Sequence, residues 1–337
     1  MPGAGEDDGK GDTDAAAADN RDGCPLRRGI GSGCCHQVNR GTMKSDGRAE
    51  QSLRSHCELV YTDLHCPEYS ASRWAASSTT KRREAMSPLL DGRIALITGG
   101  SRGLGLAIAE RFAAEGAVGH ALDLAQTSAG ARMPAGFSAT AVDVGDETTI
   151  AAAMQAALRE HGRLDVVVAN AGLVPPWRET EGLDMAEWDR VMAVNVRGVA
   201  ATIKHATPAM KASGGAIIVM ASINAYLAHP RQMLYTASKH AVLGIIRAAA
   251  RDLGRFGIRV NGIAPGPIAT DALLERIRTR ARNGGPPEQE ALAALAADNA
   301  LARLATSDEV AKAALFLASD LASGISGELL PVDAGLA

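Results

Sequence analysis

The chain has 337 residues, a net charge of −3 and five cysteines. That balance gives no basic footprint for nucleic acid, and neither an export leader nor an apolar run of about 18 residues marks a membrane partner. Cytoplasmic placement is the resulting expectation.

Residues 1–85 hold all of the cysteines, Cys24, Cys34, Cys35, Cys57 and Cys66. This stretch is rich in Gly, Asp, Ala, Arg and Ser, without sustained helical or strand periodicity. Such composition buries too little apolar surface to offset the entropy of ordering, so a disordered extension or a non-native leader is expected. Cys34-Cys35-His36 with Cys57 and Cys66 offers no Cys-x2-Cys pair, and no metal site is expected. Ser70 to Arg83 is Ser-, Ala- and Arg-rich like a transit peptide, but the acidic opening of the chain argues against one. The simplest expectation is a functional product that starts at Met86, with a single α/β domain over 86–337.

Arg93 to Thr98 is an apolar run that stops at glycines, the pattern of a short buried strand. Thr98-Gly99-Gly100-Ser101-Arg102-Gly103-Leu104-Gly105 follows, and Leu104, Ile108 and Phe112 then recur at helical spacing. Strand, glycine turn and helix together make a phosphate cradle. Gly99 permits the turn, Gly103 lets backbone approach a pyrophosphate, Gly105 lets helix and strand pack, and the helix N-terminus faces the phosphates. The next strand, Ala117 to Leu122, ends at Asp123, about 20 residues past Gly103, where an acid meets an adenosine ribose. A carboxylate there accepts from both ribose hydroxyls and repels a 2′-phosphate, which favours NAD. Arg102 in the turn argues for NADP, since a guanidinium pairs with phosphate.

Further strands are predicted at Ser138–Val142, followed by Asp143-Val144, and at Asp165–Ala169, which leads into Asn170-Ala171-Gly172. Between them, Ile150, Met154 and Leu158 share one helix face. A long helix is predicted from Glu187 to Met210, then a strand from Ala216 to Met220. A helix over Leu234–Leu253, a strand over Gly257–Ile263, a helix over Asp308–Ala318 and a strand over Glu328–Val332 complete the pattern. Strands alternating with helices imply a doubly wound parallel sheet of about seven strands, covered on both faces in the Rossmann manner. Right-handed crossovers then bring Gly99, Asn170, Ser222 and Pro265 to one sheet edge.

At that edge, Tyr235 and Lys239 lie one helical turn apart, and Ser222 precedes them. A phenol with a pKa of about 10 is a poor base at neutral pH, and a neighbouring ammonium favours its ionised form. A serine hydroxyl can hold a substrate oxygen by donating or accepting. A lone Tyr-x3-Lys is weak evidence; the surrounding spacing is what specifies it.

Together, Thr98 to Gly105, Asn170-Ala171-Gly172, Asn195, Ser222, Tyr235, Lys239, Pro265-Gly266 with Thr270, and the ending Val332-Asp333-Ala334-Gly335 resemble the short-chain dehydrogenase/reductase family. The resemblance spans about Pro88 to Ala337. It implies catalytic roles for Asn195, Ser222, Tyr235 and Lys239. Tyr235 is then the acid/base, Lys239 lowers its pKa and holds the nicotinamide ribose, Ser222 holds the reacting oxygen, and Asn195 orders a water. The resemblance also implies a cofactor site of Gly99, Ser101, Arg102, Gly103, Leu104, Gly105, Asp123, Asp143, Val144, Asn170, Ala171, Gly172, Pro265, Gly266, Ile268 and Thr270, shared with Tyr235 and Lys239. Dimers or tetramers are expected, with the helices after Glu187 and Leu234 as contact faces.

The expected activity interconverts a secondary alcohol and a ketone with NAD. The alternatives are an NADPH-dependent 3-oxoacyl-type reductase and a non-catalytic cofactor-binding scaffold. Leu173–Trp177 and Ile223–Leu227 are expected to wall the pocket, and their apolar character leans toward a neutral or cyclic alcohol. Residues 271–302, with amphipathic stretches at Leu273–Ile277 and Leu292–Leu295 around Asn283-Gly-Gly-Pro-Pro287, are expected to form a helical lid.

Overall fold

The computed structural model describes residues 87–336. The cysteines, the start at Met86 and the disorder expected of 1–85 lie outside the described residues. Seven strands form one sheet: β1 (Ile94–Thr98), β2 (Val118–Asp123), β3 (Phe137–Ala141), β4 (Val166–Ala169), β5 (Gly215–Met220), β6 (Ile258–Pro265) and β7 (Leu329–Val332). Their order is β3-β2-β1-β4-β5-β6-β7, and every pairing is parallel. Parallel neighbours need a crossover over a sheet face, and helices supply it. This is the doubly wound architecture that the alternation predicts.

The central strands β1, β4 and β5 are almost wholly apolar and buried because both faces are covered. Leu96, Val167, Ile217 and Val219 point into one core, while Ala95, Ile97, Val166, Val168 and Ile218 point into the other. Burying each such Leu, Ile or Val contributes about 1.5–3 kcal/mol. The first core is closed by α3 (Glu147–His161), α5 (Gly198–Met210) and α6 (Met233–Leu253) through Ile150, Met154, Ile203, Val242 and Ile246. The second is closed by α1 (Gly103–Ala114) and α9 (Ser307–Ala318) through Ile108, Phe112, Val310 and Ala314. Leu158, expected on the buried face of α3, is instead 36% exposed. Ala153 and Ala157 take that face, because small side chains let the helix sit close to the sheet.

The remaining helices are α2 (Ala125–Ser128), α4 (Met185–Met192), α7 (Asp271–Arg282) and α8 (Glu288–Ala297). The long helix expected from Glu187 begins earlier, at α4, where the Asp184 carboxylate caps the Ala186 and Glu187 N–H groups. A π-helical turn, Ala193–Arg197, joins α4 to α5 and carries Asn195. Residues 271–302 do form two helices, and they break at 283–287 as the glycines and prolines predict.

The winding reverses where the chain leaves β3 and enters β4 on the far side of β1. The connections from β1 and β4 therefore run in opposite directions, leaving a crevice outside the carboxyl ends of these two neighbours.

Candidate active site

The glycine turn sits at the carboxyl end of β1. Gly105 packs so closely that a Cβ would lie 2.0 Å from the Gly99 carbonyl oxygen, so only glycine fits. Gly103 adopts φ +55°, and a Cβ there would meet nothing within 4 Å, leaving the turn open on that side. No side chain caps the start of α1 and no acid lies in its first turn. Its free N–H groups and positive end therefore suit an anion. The buried Ser101 hydroxyl has no hydrogen-bond partner, and Leu104 follows in the first turn of α1. These features fit a dinucleotide.

Asp123 ends β2, 8% exposed. Its carboxylate accepts from the Ser101 N–H at 3.1 Å and the Leu124 N–H at 2.9 Å. An ionised carboxylate has about four acceptor positions, so acceptor capacity remains for ribose hydroxyls. Arg102 is exposed at the rim. Asp143 is also exposed, its carboxylate turned to the Gly145 N–H, and Val144 packs toward the core.

Asn170 braces the glycine turn. Its amide donates to the Thr98 and Gly99 carbonyls, both at 3.0 Å, and thereby ties β4 to the glycine turn. Thr98 completes the tie by accepting from the Asn170 and Ala171 N–H groups. Ala171 and Gly172 continue along the crevice. At the end of β6, Pro265 is buried, and a Cβ on Gly266 would lie 2.8 Å from that of Asp333. The Ile268 side chain lies in the core and its backbone pairs with Ala305, so only that backbone can face a cofactor. Thr270 caps α7.

Ser222, Tyr235 and Lys239 converge beside this crevice. Ser222 follows β5, and its hydroxyl accepts from the Asn224 N–H at 3.2 Å. Asn224 reaches on to Gln232 and Thr236, pinning the Ser222 loop to the start of α6. Sequence spacing does not single out Asn224, Gln232 and Thr236, although a Ser222 hydroxyl accepting from the N–H two residues on has the form of an ST turn. The Tyr235 phenol end is enclosed although the residue keeps some exposed surface, and burial pushes its pKa up. The Ser222 hydroxyl and the Arg276 guanidinium pull it back down. Lys239, expected to do this, sits with its ammonium 5.7 Å from the Tyr235 ring centre and donates to the Met220 carbonyl at 2.8 Å. Buried at 5% exposure, it has its own pKa lowered to about 8. Desolvation outweighs any mutual help between the two.

Asn195 is fully buried. Its carbonyl oxygen accepts from the Leu173 N–H at 2.7 Å, and its amide donates to the Leu173 carbonyl and the Ser238 hydroxyl. It clamps the loop after β4, and one oxygen lone pair is left for a water. The same loop carries Trp177, whose ring lies 5.1 Å from the guanidinium carbons of Arg276 and Arg280 on α7. The Arg178 N–H donates to the Arg231 carbonyl, joining loop and α6 entry. Among the described residues no helix is long and apolar enough to cross a membrane.

A reversed doubly wound sheet with a glycine turn and a Ser-Tyr-Lys cluster on one edge defines a nucleotide-binding oxidoreductase scaffold. A family model described as enoyl-(acyl carrier protein) reductase matches residues 99–337. Short-chain dehydrogenase reductase 4 of Arabidopsis thaliana is 39% identical over 274 residues, covering 79% of this chain and 89% of that protein. Cis-4-hydroxycyclohexanecarboxylate dehydrogenase of Sinomonas cyclohexanicum is 39% identical over 249 residues, covering 72% and 96%. Among solved structures, carveol dehydrogenase from Mycobacterium avium in complex with NAD is similar with a TM-score of 0.67 and 30% identity, covering 74% of this chain and 98% of that one. The chain belongs to the short-chain dehydrogenase/reductase family and is an oxidoreductase of that family.

Proposed function

We propose that this protein is an NAD-dependent dehydrogenase that interconverts a secondary alcohol and a ketone. The observation that carries the reading is the convergence of Ser222, Tyr235 and buried Lys239 on the edge that bears the glycine turn. The names of relatives that act on alcohols support it. Gly99, Gly103, Gly105 and the α1 N-terminus would hold the pyrophosphate, Asp123 the adenosine ribose, and Lys239 the nicotinamide ribose. When bound, the nicotinamide accepts or supplies the hydride.

The chain's own work is proton transfer and orientation. Ser222 holds the substrate oxygen by hydrogen bonding. Tyr235 takes the hydroxyl proton during oxidation and returns one during reduction. Asn195 fixes the β4 loop against α6 so that these groups stay aligned, and α7 with α8 covers the pocket as a lid. An NADPH-dependent 3-oxoacyl-type reductase is the second reading. Exposed Arg102 favours it, whereas the Asp123 carboxylate would repel a 2′-phosphate. A non-catalytic scaffold would have no use for the Ser-Tyr-Lys cluster.

Assaying secondary alcohols with NAD and NADP side by side tests both. Turnover with NAD that falls about 10²–10⁴-fold in Tyr235→Phe, with NAD binding retained, is expected. Turnover only with NADP would favour the second reading, and no turnover with either would favour the scaffold.

A further inference from the structure

On α7, over the Trp177 ring of the loop after β4, lies a cation for which this reaction has so far given no use. Arg276 is partly buried on α7, stacked on Trp177, and its charge draws the Tyr235 pKa down. Arg280, one turn further on, stacks on the same indole.

The other arginines around them are matched. Arg278 pairs with Glu288 at 2.7 Å and Arg282 with Glu275 at 2.8 Å on the outer sides of α7. At the pocket mouth, Arg178 pairs with Glu187 at 2.9 Å, and Arg231 faces Glu179 at 3.8 Å. Among the described residues Arg276 and Arg280 have no carboxylate in ion-pair range. Among the described residues Lys239, whose ammonium lies 5.7 Å from the Tyr235 ring centre, also lacks one and bonds a carbonyl instead. The Trp177 indole N–H is buried with no partner. Two guanidinium groups on one indole repel each other, and burial lowers the Arg276 pKa as well. Stacking alone is a weak return for a partly desolvated cation. An arriving anion would satisfy both the charge and the free donors.

We propose that Arg276 anchors a carboxylate of the substrate, with Trp177 as the adjoining wall and Arg280 as a second cation at the rim. The substrate is then a hydroxy acid, and the product the matching keto acid. Its carbinol C–H bond breaks as hydride passes to oxidised nicotinamide, its O–H proton passes to Tyr235, and the carboxylate is unchanged. This rests on the reading of Tyr235 as the acid/base. It also replaces the neutral alcohol toward which the apolar pocket stretches lean. Arg fits because its planar fork meets both carboxylate oxygens at once.

The test compares wild type, Arg276→Gln and Arg276→Lys as NADH-loaded full-length proteins. Benzoate and benzamide binding is measured by calorimetry, and turnover with NAD is measured on a cyclic hydroxy acid and its primary amide. Benzoate is expected to bind about tenfold or more tightly than benzamide. That preference should vanish in Arg276→Gln and persist in part in Arg276→Lys. With each variant compared at the pH where its own profile levels off, acid kcat/KM should fall about 10- to 100-fold more than amide kcat/KM in Arg276→Gln, mainly through KM. Equal or tighter benzamide binding to wild type would overturn the proposal, as would equal losses for acid and amide. Weakened NADH binding in Arg276→Gln would also overturn it, by assigning the arginine to the cofactor. A benzoate preference without turnover of any alcohol would remove the Tyr235 reading and leave the anion anchor standing. Turnover of neutral alcohols without that preference would do the reverse.

Discussion

Lys239 bears a desolvation cost that its single bond to the Met220 carbonyl does not remove. Its folded pKa of about 8 lies below the ordinary 10.5. Between those two values the unfolded chain binds the extra proton, so the stability contributed by this group rises with pH across that window, and the full penalty applies below it. Lys239→Met is therefore expected to raise the unfolding free energy at pH 7 by about 1–3 kcal/mol while abolishing turnover. Denaturant titrations at pH 7 and pH 10 check this: the variant's advantage should shrink at the higher pH. Tyr235 has the opposite sign, with burial holding its pKa above the usual phenol value. Oxidation uses the phenolate, so kcat/KM for an alcohol should climb with pH and carbonyl reduction should decline. In Arg276→Gln the climb should move to higher pH, because one of the two groups that pull the phenol down is gone. A profile unmoved by that substitution would separate Arg276 from Tyr235.

Among the elements, the π-turn shows most clearly where a period stops being informative. The apolar spacing from Glu187 to Met210 predicts one helix, and a continuous helical path is indeed present. The pattern carries no sign of the wider turn at Ala193–Arg197, because widening a turn shifts hydrogen-bond partners without altering the run of apolar residues. That turn lets Asn195 serve the Leu173 N–H and carbonyl together with Ser238. Asn195→Ala is expected to cost about 1–3 kcal/mol through the unpaired groups left behind. Its kcat should fall more than its NAD affinity, since the loop it clamps leads into the pocket. Urea unfolding alongside steady-state kinetics measures both; unchanged kcat would mean that the clamp is structural only. The start of α4 lies at Met185, ahead of the expected Glu187, and Asp184 before an amphipathic run is the N-cap signal that marks it.

At the scale of the whole molecule, α5 and α6 each bury one side and turn the other outward. Lys204 and Pro208 are exposed on α5, and Gly244, Arg247 and Ala248 on α6. Small exposed residues on α6 allow a second helix to approach closely, and a twofold contact would bring the same patch onto itself. A dimer or tetramer is the expected solution state. Light scattering over a range of concentrations checks it, and a monomer throughout would remove these helices as contact faces.

The sequence by itself determined the sheet and the family, and named the candidate site residues. Apolar strand runs, glycines that only close packing or positive φ requires, and the spacing of Ser222, Tyr235 and Lys239 are all local or periodic signals, readable one element at a time. Asp123 was placed by its distance from the glycine turn, whereas Asn195 came from the family resemblance. What only the tertiary structure decided is which group touches which. Asn170 bonds to the turn, Asn224 braces the Ser222 loop, Met220 holds Lys239, and Arg276 of α7 takes up a place over Trp177. These partners are far apart along the chain or hidden within a uniform helical pattern, and the desolvation that sets their pKa values arises only when the layers close over them.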